Sequence, residues 1–238
     1  MNPLTRRSFM SCAAAGLAAL GVAGESAHEA RAQLVWKSEQ WKRGDFHKLA
    51  ASPASVKQVV NASAINDGAV LNSIKNSLNG LQFGFGVPKE EIKIVAALHG
   101  SANMINYDDF IWNKYRIGEW LNITDPSTSK PAVRNVFYRS RDPLDAAAFA
   151  KDPSDRDSVY QDTAVETLQA RNVQFLSCHT ASEEQARTLV ARDKLKVPAE
   201  QVVKEMLAHT VPQVLVVASM VAAIALLQAR GHYTYLSV

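Results

Sequence analysis

Val173–Gln174–Phe175–Leu176–Ser177–Cys178–His179–Thr180–Ala181–Ser182–Glu183–Glu184 is the stretch whose reading decides the fold. Val173, Phe175 and Leu176 have strand character and follow the helix-ending pair Arg171–Asn172, which predicts a short buried strand. Thr180 with Glu183 three residues later has capping-box spacing, which predicts a helix from there to about Leu195. Cys178 then falls two positions before the expected N-cap, beside backbone N–H groups that favour an anion. A thiol so placed is a candidate nucleophile, although Glu183 and Glu184 oppose the effect.

Outward from this stretch, the same alternation of strand and helix recurs. Ile92–Lys93–Ile94–Val95–Ala96–Ala97–Leu98 is the clearest strand, near-continuously apolar, and stops at His99–Gly100–Ser101. A strand of that kind belongs in a parallel sheet covered on both faces. Before it come a strand at Val56–Asn61, the turn Asn66–Asp67–Gly68, and a helix carrying Val70, Leu71, Ile74, Leu78 and Leu81. After it, Asn103 to Leu121 reads as one helix with an aromatic face, and core packing explains that face better than a cofactor box. Val159 to Arg171 reads as a helix feeding the cysteine strand. Pro198 opens a further amphipathic helix, and His209 near its end suits the negative pole of the helix dipole.

Val211 to Ala218 reads as a buried strand, Met220 to Arg230 as an alanine-rich helix closed by Gly231, and Tyr233 to Leu236 as a final strand. The fold class expected is therefore α/β, a single open, mostly parallel five-stranded sheet with helices on both faces. The apolar run Val214–Leu227 falls short of the ~20 residues that span a bilayer, and strand plus helix accounts for it. Asn122 to Ser158, with Pro126, Pro131, Pro143 and Pro153, reads as an insertion interrupted by a short strand at Val136–Tyr138. Arg134, Arg139 and Arg141 in it are a solvated surface in the simplest reading and an anion contact in the other.

The first residues have a different character. Thr5–Arg6–Arg7–Ser8–Phe9–Met10 resembles a twin-arginine export signal, followed by a weakly apolar stretch to Gly24 and a small-x-small cleavage site at Ala30–Arg31–Ala32. The expected organisation is a signal peptide over 1–32, an arm over 33–54 bearing Trp36, Trp41 and Phe46, and an α/β domain over 55–238 with its insertion at about 122–158. The expected location is periplasmic, with no membrane span after signal removal. Of the 238 residues, 26 are basic and 23 acidic. Residues 1–32 hold three arginines and two glutamates, so the remainder keeps 23 basic and 21 acidic side chains, a formal charge of +2. No basic block stands out, which argues against nucleic acid as a partner. Of the two cysteines only Cys178 lies beyond the signal, so no disulfide can form within the mature chain. A lone thiol in an oxidising compartment is either buried or employed.

In open α/β sheets the loops at the carboxyl ends of the strands form the ligand crevice. Three groups fall there: Asn61 with Ser63, His99–Gly100–Ser101, and Cys178–His179. Neither a P-loop nor a dinucleotide glycine fingerprint occurs, and the histidines lack zinc-ligand spacing, so neither cofactor nor metal is implied.

Four segments carry a family resemblance: Asn72–Asn76, Ile92–Gly100, Val173–Cys178 and Leu226–Tyr235. In order and spacing they resemble the DsrE/DsrF-like family, whose fold is a small YchN-like α/β layer. The likeness covers about Val56–Leu236, with 122–158 as extra material. It implies that Cys178 carries sulfane sulfur as a persulfide, making the protein a sulfur carrier or sulfurtransferase. His99 or His179 would handle the proton, and Asn61, Ser63, Gly100 and Ser101 would line the substrate site. The partners implied are small sulfur compounds or a partner protein thiol, in a homo-oligomer, trimer or hexamer. Familiar members act in the cytoplasm, so an exported one lacks the usual relay partners. The other reading is a non-catalytic oligomeric binding or accessory protein in which Cys178 is a buried structural residue.

Overall fold

The computed structural model describes residues 35–139, 144 and 146–238. The twin-arginine motif, the cleavage site, Arg141 and Pro143 lie outside these residues. In chain order the elements are α1 (Arg43–Ala50), β1 (Val56–Ala62), α2 (Ala69–Asn79), β2 (Ile92–Leu98), α3 (Asp109–Lys114), α4 (Ile117–Leu121), β3 (Thr124–Asp125), β4 (Lys130–Pro131), α5 (Val165–Ala170), β5 (Gln174–Cys178), α6 (His179–Asp193), α7 (Ala199–Ala208), β6 (Leu215–Val217), α8 (Met220–Gly231) and β7 (Thr234–Ser237).

Five strands form one sheet in the order β6-β5-β2-β1-β7, and every pairing is parallel. The continuous apolar character of β2 is explained by its central place, where both faces are covered. On one face Val60, Ile94 and Phe175 pack with α2, α5, α6 and α7 in a core that includes Trp112 and Tyr107. On the other, Val59, Val95, Ala97 and Leu176 pack against α1 and α8 through Phe46, Leu49, Met220, Ala223 and Leu227. Burying a side chain such as Leu or Phe contributes roughly 1.5–3 kcal/mol, so these two layers hold the sheet between them.

The helices that follow the neighbouring strands β5 and β6 do not share a face. After β5 the chain turns into α6, whose Ala186 and Leu189 join the first layer. After β6, the next strand in the sheet, it turns into α8 on the second layer and crosses to the far edge, where β7 pairs with β1. A crevice opens at the carboxyl ends of strands where successive helices diverge in this way. Cys178 is the last residue of β5 and stands at that divergence.

Several expectations need correction. The N-terminal arm is not irregular throughout, because α1 forms over Arg43–Ala50 to bury Phe46 and Leu49. Asn103 to Leu121 is not one helix. A tight 3-10 segment over Gly100–Asn106 is followed by an antiparallel bridge between Tyr107 and Thr210, and α3 then restarts with Asp108 as its cap. Asp108 Oδ1 accepts from the amides of Phe110 (3.0 Å) and Ile111 (3.4 Å). The segment Val136–Tyr138 is a turn rather than a strand. The last buried strand is only Leu215–Val217, since Val211 donates to Asn106 O at 2.9 Å and Gln213 takes φ 62°. Of Val159–Arg171 only the second half is α-helical. His232 (φ 56°), not Gly231, provides the left-handed residue after α8.

The described residues of the insertion are tied down by ion pairs. The Asp125 carboxylate accepts two hydrogen bonds from Arg134, at 2.7 and 3.1 Å, and Arg139 makes a matching pair with Glu166 at 2.8 and 2.8 Å. Both arginines are therefore committed to carboxylates. A Cβ on Gly118 would lie 2.3 Å from the backbone of Ala132, so only glycine lets the insertion seat on α4.

Candidate functional site

The cysteine strand and the helix after it share one residue. Thr180 is not the N-cap: its hydroxyl donates to Ala218 O at 3.1 Å. Cys178 itself caps α6, and its Sγ accepts the Ala181 amide at 3.4 Å. The same sulfur accepts the amide of Met220, the first residue of α8, at 3.3 Å. One atom thus meets the starts of two helices that leave on opposite faces of the sheet. Each helix start carries partial positive charge from its unpaired N–H groups, and here two of them point at one sulfur. The side chain is 4% exposed and packs within the layer that holds Leu176, Val217 and Met220.

His99 stands beside this sulfur by register. Ala97 pairs with Leu176 and Leu98 with Ser177, so one residue on, His99 flanks Cys178. His99 keeps extended backbone (φ −144°, ψ −173°) and its amide still donates to Ala62 O at 3.1 Å. Strand alternation therefore puts Asn61, His99 and Cys178 on the same face as Val59, Ala97 and Leu176. Asn61 Oδ1 lies 3.1 Å from His99 Nε2. An amide oxygen only accepts, so Nε2 carries the proton and Nδ1 is the basic atom of the neutral ring. Burial lowers the imidazole below its ordinary value, and the negative charge of Glu184 partly offsets this.

Beyond His99 the β2 chain leaves the sheet. Gly100 takes φ +50°, and a Cβ there would lie 2.3 Å from Ser63 O. Ser63 O accepts from Ala102 N at 3.4 Å, and the Ser101 hydroxyl accepts from Ile65 N at 3.1 Å. Ser63, Gly100 and Ser101 thus stitch the loops after β1 and β2 together. Of the seven expected site residues, the structure brings Asn61, His99 and Cys178 to one face, and Ser63, Gly100 and Ser101 build the loops beside them.

His179, the remaining one, has its own partners. Its ring stacks on Trp36 (centroids 4.1 Å apart, planes 17°), and its Nδ1 is 3.3 Å from Glu183 Oε1, one turn along α6. The ring is 5% exposed, and burial lowers its affinity for a proton. It fastens the N-terminal arm to the helix start beside the sulfur.

A polar hub holds the thiol from behind, and the sequence reading did not include it. Asn103 is fully buried. Its Oδ1 accepts from the Cys178 amide at 3.0 Å and from the Ser177 hydroxyl at 2.9 Å. Its Nδ2 reaches Tyr107 Oη (3.1 Å), Ser182 Oγ (3.3 Å) and Gln185 Oε1 (3.2 Å). Tyr107 and Ser182 hydroxyls meet at 2.7 Å, and Ser182 donates to Cys178 O at 2.8 Å. Gln185 also donates to Gly100 O. Where β2 departs, Asn103 therefore replaces the missing ladder partner of β5 and fixes the thiol's backbone. The signal available in the sequence was Asn103 with Asn106 at helical spacing inside an apolar stretch.

Among the described residues no group of three or more His, Cys, Asp or Glu side chains is arranged to hold a metal ion. Nor is any helix among them long and apolar enough to cross a membrane. Among the described residues, cavities of about 510, 400 and 240 Å³ are lined by other residues than Cys178. Comparison with family models, with curated proteins and with solved structures returned no match to this chain.

Proposed function

We propose that the protein is an exported sulfur carrier or sulfurtransferase that holds sulfane sulfur as a persulfide on Cys178, as the DsrE/DsrF-like proteins it resembles do. The observation that carries this reading is the sulfur's position at two helix starts, accepting the amides of Ala181 and Met220. With thiosulfate as donor, the cysteine sulfur attacks the outer sulfur. The Cys–S–S bond forms, the bond to the sulfonate sulfur breaks, and sulfite leaves with the electron pair. The thiol proton passes beforehand to His99 Nδ1 or to water. The outer sulfur is then handed to a partner thiol, sulfite or cyanide by the same exchange, which returns the thiolate. The reading includes export by the twin-arginine route and a homo-oligomer, trimer or hexamer, which light scattering on the mature chain tests.

Exposure of only 4% at Cys178 favours a second reading, an accessory protein in which the thiol is structural. Mass spectrometry of the folded protein after thiosulfate or polysulfide separates the two. An adduct of one sulfur atom on Cys178, absent from Cys178→Ser, supports the carrier. An unmodified thiol in the folded protein, reactive only after denaturation, refutes it. Ser is the apt control because its oxygen is a better N-cap acceptor than sulfur, so the helix start survives the change.

A further inference from the structure

At the amino ends of β2 and β5, the opposite end of the strands from Cys178, lies a cavity of about 510 Å³, within the range of small-molecule sites. Leu78, Ile92, Phe149 and Tyr160 supply its apolar wall, and Arg171 supplies a guanidinium. Arg171 Nη2 donates to Asn79 Oδ1 at 2.7 Å, and the guanidinium lies over the Tyr160 ring, 4.9 Å from its centroid. Its Nη1 is buried and has no acceptor. Among the described residues Arg171 forms no ion pair with a carboxylate, unlike Arg134 and Arg139. Burial without a counter-charge pushes the guanidinium down to about 10. Lys89 and Glu90, both also on the wall and both exposed, lie 3.9 Å apart and offset each other's charge, which leaves Arg171 as the net cation of the lining. Phe83, 45% exposed, meets Tyr160 edge-on at 4.9 Å and adds an aromatic ring beside the wall.

From this arrangement we propose that the cavity is a binding site for a small monocarboxylate with a flat aromatic or short aliphatic body. One uncompensated cation matches one negative charge, and the four apolar side chains match a body of that kind. A phosphate dianion fits worse, because among the described residues that line the cavity there is no glycine and no second unpaired cation to share its charge. The carboxylate gives Arg171 the counter-charge the fold withholds, and the body of the ligand lies against Tyr160 and Phe149. The site is separate from the thiol, and its test does not depend on sulfur chemistry.

Titration calorimetry of the whole chain with benzoate, benzamide and inorganic phosphate tests it. One benzoate per chain is expected, bound at least ten-fold tighter than either of the others. Arg171→Gln removes the charge and weakens benzoate at least ten-fold. Gln82→Trp, made at a half-buried lining position, fills the space from the rim and weakens it by a similar factor while Arg171 stays in place. Cys178→Ser leaves the binding unchanged. The proposal is overturned if benzoate fails to bind, if benzamide or phosphate binds as tightly, or if either cavity variant binds like the parent. Should Arg171→Gln fail to fold, Gln82→Trp alone decides.

Discussion

Asn103→Ala is the perturbation whose cost the structure defines best. Removing the amide strands three buried groups: the Cys178 N–H, the Ser177 hydroxyl and Gln185 Oε1. Tyr107 and Ser182 keep each other at 2.7 Å and are not stranded. The Cys178 amide is fixed by the strand and cannot turn to another acceptor, whereas the Ser177 hydroxyl can rotate. A stranded buried polar group costs about 1–3 kcal/mol, so the full loss falls at roughly 3–5 kcal/mol after partial relaxation. For a chain of this size that lowers the melting temperature by roughly 6–20 °C. Urea denaturation followed by circular dichroism, with unchanged slope, measures it directly. Asn103→Asp keeps the acceptor for Cys178 and Ser177 but loses both donors, and places a negative charge behind the thiol. Burying that charge carries its own desolvation cost, so the readout for this variant is the rate: it should slow alkylation of Cys178. A cost below about 1 kcal/mol for Asn103→Ala would refute the hub as the fixture of the β5–α6 turn.

Further outcomes follow from the same geometry. Gly100→Ala combines a left-handed residue with a 2.3 Å approach to Ser63 O, and should cost at least about 2 kcal/mol in urea denaturation, since the left-handed region alone costs roughly 1–2. His99 should titrate below the usual histidine value in NMR spectra, and Glu184→Gln should move it lower still by removing the charge that raises it. Because its folded value is depressed, the His99 contribution to stability is present above the unfolded value and lost as pH falls through the folded one. Asp125, held at about 2 by hydrogen bonds from Ser127 and Arg134, should add an acid-sensitive step as pH falls from the ordinary carboxylate range towards 2. Arg134→Gln should shrink that step in acid-unfolding curves.

Much of the sheet was legible because its strands are buried on both sides. Ile92–Leu98 is continuously apolar for that reason, and the strand matched its expected bounds residue for residue. Segments whose conformation depends on distant partners were not legible. Phe46 and Leu49 form one turn of a helix only because α8 offers them a surface. The aromatic spacing of Met104 to Tyr115 suits a helix, but the bridge of Tyr107 to Thr210 breaks it, and that partner is a hundred residues away in sequence. Local spacing pointed to the Thr180 hydroxyl as the cap of α6. Tertiary structure reversed the choice by giving Thr180 an acceptor in Ala218. Cys178 was singled out correctly as a strand-end residue, while the hub behind it joins positions 74 to 82 residues apart, and its one local trace is the spacing of Asn103 and Asn106.

A single sulfur receiving amides from two diverging helices also makes a reporter. Any group attached to that atom must disturb the Met220 N–H, which lies 42 residues further along the chain. Deuterium uptake at that one backbone position is therefore a gauge of whether the sulfur is bare or occupied, readable without touching the cysteine.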